Sequence, residues 1–420
     1  MTKLPYGRGN LLFKESQANR IQVFTPKKKK AVTNPQSYVN DEVSRYFEQH
    51  KTFFSRYGDQ EVCIVVSDNT RLTFNHMIVP CLLRRLEDVG VKRKNIFLLV
   101  ANGLHAPMSD KDLAQNLGKR IVDEFRVENH NPDANLVSLG TTTRGTPLLI
   151  NRHYLESDLR IATGLVAPHF HAGFGGGCKS ILPGISGRDT ILKNHCCNMI
   201  SHDRARYGIT ENNPIYEDIM EAGLKSRLDL IVNVAVDSDR KITHLFIGYP
   251  KETHNRATRI VTEDMKIEFD ELFDIVVTTN GGFPLDRNLY QCVKGVAVGE
   301  LMVKEGGTII LAAECRDGVG HGVFQKYMSY GQDAHDVLDK LRNDEPVEDQ
   351  DNIQILARAI TRANVEVVTD GVEPEIIGAM KMKHAPSISE ALRSCGWARN
   401  TRLRMAIVPG GPYVLPVRVR

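Results

Sequence analysis

EVCIVVSDNTRLTFNHMIVPCLLRRLEDVGVKRKNIFLLVANG, residues 61–103, sets the fold class. It opens on an apolar run that turns polar at Ser67 and Asp68. Residues 77–90 then carry apolar side chains at helical spacing and stop at Gly90, and residues 95–103 are a second apolar run. Runs that are apolar at consecutive positions must be covered on both faces, as in a parallel sheet with crossover helices. LRIATGLV (159–166) and LDLIVNVAVD (228–237) continue the pattern. A second set follows residue 270, with strands in 273–282, 307–315 and 365–371 and amphipathic helices at 351–363 and 388–396. The fold class read from this pattern is α/β, with two domains of mainly parallel sheets and the active site in the cleft between them. The expected domains are residues 1–268 and 272–404, joined by a polar connector at 261–272. Residues 405–420 form a last strand, broken at Gly410-Gly411-Pro412, that could return to the first domain.

Working outward from this frame, residues 1–40 read as an arm or edge hairpin, with a short strand at 20–24 and a turn at Asn34-Pro35. The run Lys27 to Lys30 between them reads as a solvated turn. The chain has 54 Lys and Arg against 51 Asp and Glu, a net charge of +3, which argues against nucleic acid as a partner. Hydrophobic residues at 41% exclude a disordered polyelectrolyte. No apolar stretch approaches the ~18 residues of a membrane span, and the start of the chain is polar. The eight cysteines form no CxxC pair and fit a reducing compartment, so a cytoplasmic location is expected.

The chemistry is concentrated in GLVAPHFHAGFGGGCKSILPGISGRDTILKNH, residues 164–195. Its glycines permit positive φ and close approach of backbone to a ligand. A Walker A loop is excluded because Cys178 stands where glycine must precede Lys179-Ser180. A dinucleotide fingerprint fails as well, because Ser180 occupies its third glycine position. What remains is a loop holding His169, His171, Lys179 and His195. Asp68, Asn69, Thr70 and Arg71 follow the first strand, and His105 follows the second. All three clusters lie past the C-terminal ends of parallel strands, where open α/β sheets bind ligands. Taken alone, each has a plain structural reading: His105 or His169 as a surface or capping residue, Asp68 as a helix cap, Lys179 as a solvated lysine. His171 is read as structural, and Cys196-Cys197 as packing.

SDNTR (67–71), GLHAPM (103–108), PHF (168–170), GGCKSILPG (176–184), NH (194–195) and LYQCVKG (289–295) together resemble the lactate racemase family in order and spacing. The resemblance implies a racemase or epimerase that inverts C2 of a 2-hydroxy acid. It implies hydride transfer to and from a nickel-pincer nucleotide, pyridinium-3,5-bisthiocarboxylic acid mononucleotide nickel. Lys179 resembles the lysine that carries this cofactor through a thioamide, and His195 the imidazole ligand of the nickel. His105 and His169 resemble the acid/base pair. Asp68, Thr70, Arg71, Gly176, Gly177 and Ser180 match the segments around the cofactor, and Arg71, Tyr290, Gln291 and Lys294 those that bind substrate. Implied partners are a small 2-hydroxy acid and cofactor-maturation proteins, with neither nucleic acid nor membrane. Ala106, Cys178 and the tryptophan-free stretch 348–360 depart from the usual family pattern. These departures leave the substrate open between lactate, a longer or more polar 2-hydroxy acid, and a sugar acid epimerised at C2. A non-catalytic nucleotide- or metal-binding protein and an ordinary phosphate-binding α/β protein are the other readings.

Overall fold

Val62–Ser67, buried over its first five residues, pairs in parallel with Ile96–Ala101 on one side and Leu159–Leu165 on the other. It lies at the centre of a six-stranded sheet whose order is Ile242–Gly248, Leu230–Val236, Leu159–Leu165, Val62–Ser67, Ile96–Ala101, Arg126–Asn129. Only the edge pair of Leu230–Val236 with Ile242–Gly248 is antiparallel. The computed structural model describes residues 1–14, 20–27, 31–70, 72 and 74–419. It divides into a first unit, residues 28–195 and 202–261, and a second, residues 1–27, 196–201 and 262–420. Among the described residues no helix is long and apolar enough to cross a membrane.

The first unit's sheet is covered by helices whose apolar faces follow their sequence period. Pro35–Gln49 buries Val39, Val43 and Phe47 at four-residue steps. Its start is fixed by Asn34, whose side chain accepts from the Ser37 amide at 3.1 Å, with proline in the first turn. Asn75–Asp88 buries Ile78, Val79, Leu82 and Leu86 in the same core, and Gly90 beyond it takes φ +98°. From the central strand the chain moves outward one way to Ile96–Ala101 and Arg126–Asn129. It then crosses back to lay Leu159–Leu165 on the other side. The strand order therefore reverses between Val62–Ser67 and Leu159–Leu165, and the loops after these two strands flank the place where such sheets hold ligands.

The second unit's sheet is parallel throughout, in the order Lys383–Ala385, Asn364–Val368, Val303–Ala312, Phe273–Thr279, Met405–Val408, Ile21–Val23. The units depart from the expected domains at both chain ends. Residues 1–27 belong to the second unit, because Ile21–Val23 pairs with Met405–Val408 and Leu4 of the hairpin Thr2–Tyr6/Gly9–Phe13 enters its core beside Ile275 and Val277. Residues 405–420 stay in the second unit for the same reason: Met405–Val408 is an interior strand. The expected connector is ordered structure. Residues 261–265 finish the helix Pro250–Met265, and Lys266–Phe269 is a strand parallel to Leu415–Arg418. Its charged residues alternate with Ile267 and Phe269, which are buried. Lys28–Lys30 lie outside the described residues.

Leu4 is 0% exposed, whereas Leu12 of the same hairpin is 58% exposed. Leu4→Ala is expected to destabilise the second unit by about 2–5 kcal/mol, and Leu12→Ala by less than about 0.5 kcal/mol. Urea unfolding followed by a probe in residues 262–419 measures both. Equal effects would contradict the hairpin's place in this core.

Candidate active site

The loop after Val62–Ser67 delivers Asp68, which is almost completely buried. Its Oδ1 accepts from the Thr70 hydroxyl at 2.6 Å and the Thr70 amide at 3.2 Å. Its Oδ2 lies 2.6 Å from His105 Nδ1. A buried carboxylate held on both oxygens fixes the imidazole as the Nδ1–H tautomer and leaves Nε2 as the basic nitrogen. His105 is itself held at the backbone by its amide, which donates to the Asn102 carbonyl at 2.9 Å. Next to it, the Gly103 amide donates to the Gly184 carbonyl at 2.9 Å, joining the His105 loop to the glycine segment. Asp68 and Thr70, read from sequence as cofactor contacts, thus form one unit with His105. Arg71 lies outside the described residues.

The glycine segment leaves Leu159–Leu165 and forms a small antiparallel pair, Pro168–His169 with Gly173–Phe174, before the turn Gly177–Ser180. Lys179 lies in this turn with Nζ 3.4 Å from His169 Nε2. Two polar side chains buried beneath the turn hold it. Asn233 Oδ1 accepts from the Gly177 amide at 2.7 Å, and His254 Nε2 lies 2.9 Å from the Gly175 carbonyl. Burial pushes the His254 imidazole below its ordinary pKa, so it is neutral. Its Nε2–H donates to Gly175, and its Nδ1 accepts from the Tyr216 hydroxyl at 3.1 Å. Gly176 and Gly177 take φ +77° and +57°. A Cβ on Gly177 would stand 2.7 Å from His254 Cδ2, and one on Gly176 2.8 Å from Asn233 Oδ1. The glycines are therefore required both by dihedral and by contact with the side chains that hold them. Ser180 anchors the end of the turn, donating from Oγ to the Thr163 carbonyl at 3.1 Å.

His195 follows the helix Arg188–Asn194, its amide donating to the Ile191 carbonyl at 2.9 Å. Its ring meets that of His171 edge to face, with centroids 4.8 Å apart. His171 in turn meets His169 at 4.5 Å. The first unit therefore gathers Lys179, His169, His171 and His195 in one continuous line. The short helix Cys197–Ser201 belongs to the second unit, where Gln354 Nε2 donates to the Cys197 carbonyl at 3.1 Å.

In the second unit, Tyr290, Gln291 and Lys294 occupy the first two turns of Leu289–Met302, the helix after Phe273–Thr279. Asn288 caps it through the Gln291 amide at 3.0 Å. Lys294 Nζ donates to Gln291 Oε1 at 2.8 Å, which sets an ammonium beside an amide. Tyr290 stacks on His321, centroids 3.8 Å apart and rings 6° from parallel. The Asp349 carboxylate beside His321 raises its pKa above the ordinary histidine value.

Sequence reasoning missed Asn233, His254 and His321. Only Asn233 had a signal: it is the single polar residue within the buried run Leu230–Val236. His254 and His321 sit in no motif, and tertiary contacts alone give them their positions.

Model domains of two families match the chain, the lactate racemase N-terminal domain over residues 6–208 and the lactate racemase C-terminal domain over residues 270–415. A lactate racemase from Thermoanaerobacterium thermosaccharolyticum is 37% identical over 363 residues, and one from Lactiplantibacillus plantarum 36% over 363 residues; each alignment covers 85% of both chains. The structure of the lactate racemase apoprotein from Thermoanaerobacterium thermosaccharolyticum superposes with a TM-score of 0.90 at 34% identity, covering 99% of each chain.

Cys178, beside Lys179, turns its side chain the other way, onto the helix Pro214–Lys225, with Sγ 3.6 Å from Met220 Sδ. Burial pushes its thiol up to about 12. At pH 8 only about one molecule in 10⁴ carries the reactive thiolate. Cys178 is therefore expected to resist a maleimide at pH 8 in the native protein and to react at once in denaturant. Peptide mapping by mass spectrometry reads both states, and rapid native labelling would contradict the packing.

Proposed function

Because the chain belongs to the lactate racemase family, whose members are isomerases, we propose that it inverts C2 of a small 2-hydroxy acid with a nickel-pincer nucleotide carried on Lys179. The observation that supports this reading best is the 3.4 Å approach of the Lys179 amine to His169 on one glycine loop, while a second imidazole, His105, is oriented by buried Asp68.

The residues present fit the cofactor. An amine in a rigid glycine turn can be acylated without moving the backbone, and the imidazole of His195 is a donor type that suits nickel. The bound nucleotide would supply an electrophilic carbon that accepts a hydride from the substrate and returns it. The protein's own part is to manage protons and orientation. The C2–H bond of a 2-hydroxy acid is a poor acid, so a histidine acting alone on that proton would be slow. The hydroxyl proton is the easier one to move. His105 Nε2 takes it as C2 is oxidised, and Asp68 stabilises the resulting imidazolium. His169 performs the same service for the opposite enantiomer. We assign recognition of the substrate carboxylate to Lys294 and Gln291, whose paired heads offer an ammonium and an amide N–H₂, with Tyr290 alongside. Attachment of the nucleotide calls for maturation proteins that deliver it.

The test uses holoenzyme made in a host that supplies the nucleotide, assayed with enantiopure lactate and longer 2-hydroxy acids. His105→Ala and His169→Ala are each expected to lower kcat by about 10²–10⁴-fold, with nickel content and the adduct mass on residue 179 unchanged. Asp68→Asn is expected to fall in the same range by disturbing the His105 tautomer. Lys179→Ala is expected to lose the adduct and all activity. Entry of solvent deuterium at C2 on every turnover, or an unmodified Lys179 in active enzyme, would overturn the proposal.

A further inference from the structure

Three elements of the second unit meet at Tyr290. The helix Leu289–Met302 carries it in the first turn, and the amides of Leu289 and Tyr290 donate to the carbonyls of Gly318 and Val319, both at 3.0 Å. These bonds tie the start of the helix to the loop after Val303–Ala312, and the same loop supplies His321. The His321 imidazole lies flat on the Tyr290 ring, with centroids 3.8 Å apart and planes 6° from parallel. The buried ring of Phe324 crosses Tyr290 at 86°, with centroids 5.5 Å apart. The third element brings Asp349, mostly buried, whose two carboxylate oxygens each lie 3.1 Å from His321 Nδ1.

Asp349 gives up an ordinary role to make this contact. It stands at the N-cap of the helix Gln350–Arg362, where an aspartate normally accepts from amides of the first turn. Its side chain makes no such bond. Its backbone also takes φ +62°, a left-handed conformation that is costly for any residue with a side chain and persists only where the surroundings over-determine it. What the fold gains for these two local costs is an imidazole held at one edge. A stacked ring without such a bond is free to slide and to turn in its own plane, and an Nδ1–H donated to a carboxylate removes both freedoms.

We propose that His321 and Asp349 are positioning residues of the substrate site: Asp349 fixes the imidazole, and the imidazole fixes the Tyr290 ring. Tyr290 stands four residues before Lys294, so the two share a face of their helix. Neither His321 nor Asp349 is required to touch the substrate. Acting through Tyr290, the pair governs how tightly the 2-hydroxy acid is held rather than how fast its C2 is oxidised. The proposal rests on the assignment of Tyr290 to substrate binding.

The experiment has two arms. In the first, fluorotyrosine is placed at position 290 of the nucleotide-free full-length protein and its fluorine resonance is recorded. His321→Leu removes the stack, and Asp349→Gly removes the carboxylate while accepting the positive φ. Asp349→Asn keeps an acceptor for Nδ1–H and tolerates the same backbone. Circular dichroism and thermal melts establish that each variant is folded. The resonance is expected to shift or broaden in His321→Leu and Asp349→Gly and to return to its wild-type position in Asp349→Asn. In the second arm, holoenzyme is assayed with enantiopure lactate and longer 2-hydroxy acids. His321→Leu and Asp349→Gly are each expected to raise KM by about 10-fold. Their kcat is expected to stay within about 3-fold of wild type, with the adduct mass on residue 179 unchanged, and Asp349→Asn is expected to recover most of the KM. In a Tyr290→Ala background, His321→Leu is expected to add nothing. An unmoved resonance in folded His321→Leu, a loss confined to kcat, or additive losses in the double variant would overturn the proposal. A wild-type holoenzyme without racemase activity would sink the racemase reading, while the fluorine spectra would still decide whether the pair holds Tyr290.

Discussion

The hydrogen bond from the Gly177 amide to the buried side chain of Asn233 is the contact on which the shape of the glycine turn depends. A glycine turn has no side chains with which to hold itself. The fixed acceptor below it sets the backbone from which Lys179 reaches to within 3.4 Å of His169. Asn233 provides that acceptor from the middle of an otherwise apolar strand, a place where an amide is tolerated only if it is bonded. His254 holds the carbonyl of Gly175 from the helix Pro250–Met265, so the segment is fixed at two points. Both contacts demand the close approach that only glycine allows at positions 176 and 177.

The same logic recurs in the other half of the chain, with different parts. There the helix Leu289–Met302 starts just beyond a central parallel strand, and an asparagine cap fixes its first turn. Lys294 and Gln291 are joined head to head, so the charge of one is oriented by the amide of the other. Asp68 and the glycine segment follow the two strands between which the first sheet's order reverses, and the helix Leu289–Met302 follows Phe273–Thr279, beside which the second sheet's order reverses. Parallel sheets concentrate loop ends at one edge, and reversal of the order opens a gap between adjacent loops.

The central strands of both sheets were readable from sequence because burial on both faces leaves a long apolar run, as in residues 62–66 and 275–277. The glycine segment was readable because few folding requirements other than close approach explain so many glycines. The assignments at both chain ends were not readable. The pairing of Ile21 with Met405 leaves no mark in either local sequence, since parallel pairing requires no turn between the partners. Lys266–Phe269 was hidden by its charged alternate residues, which look like linker composition until the partner strand is known. Asp68 was legible as a site residue, but its task of orienting His105 depends on a 2.6 Å contact between loops that sequence spacing does not encode.

The edge strand Ile21–Val23 has a consequence for how the molecule is born. Among the described residues its one strand neighbour in the sheet is Met405–Val408. At roughly 5–20 residues per second, the ribosome delivers that neighbour on the order of 20–80 s after the edge strand has left the exit tunnel. The whole first unit is synthesised in the interval and can close around its own sheet while both ends of the chain still wait. Until Ile275 and Val277 are made, Leu4 lacks the strand residues that it packs against in the finished core. The second unit therefore closes last, after the first unit, whose residues lie between its two separated parts, has been made.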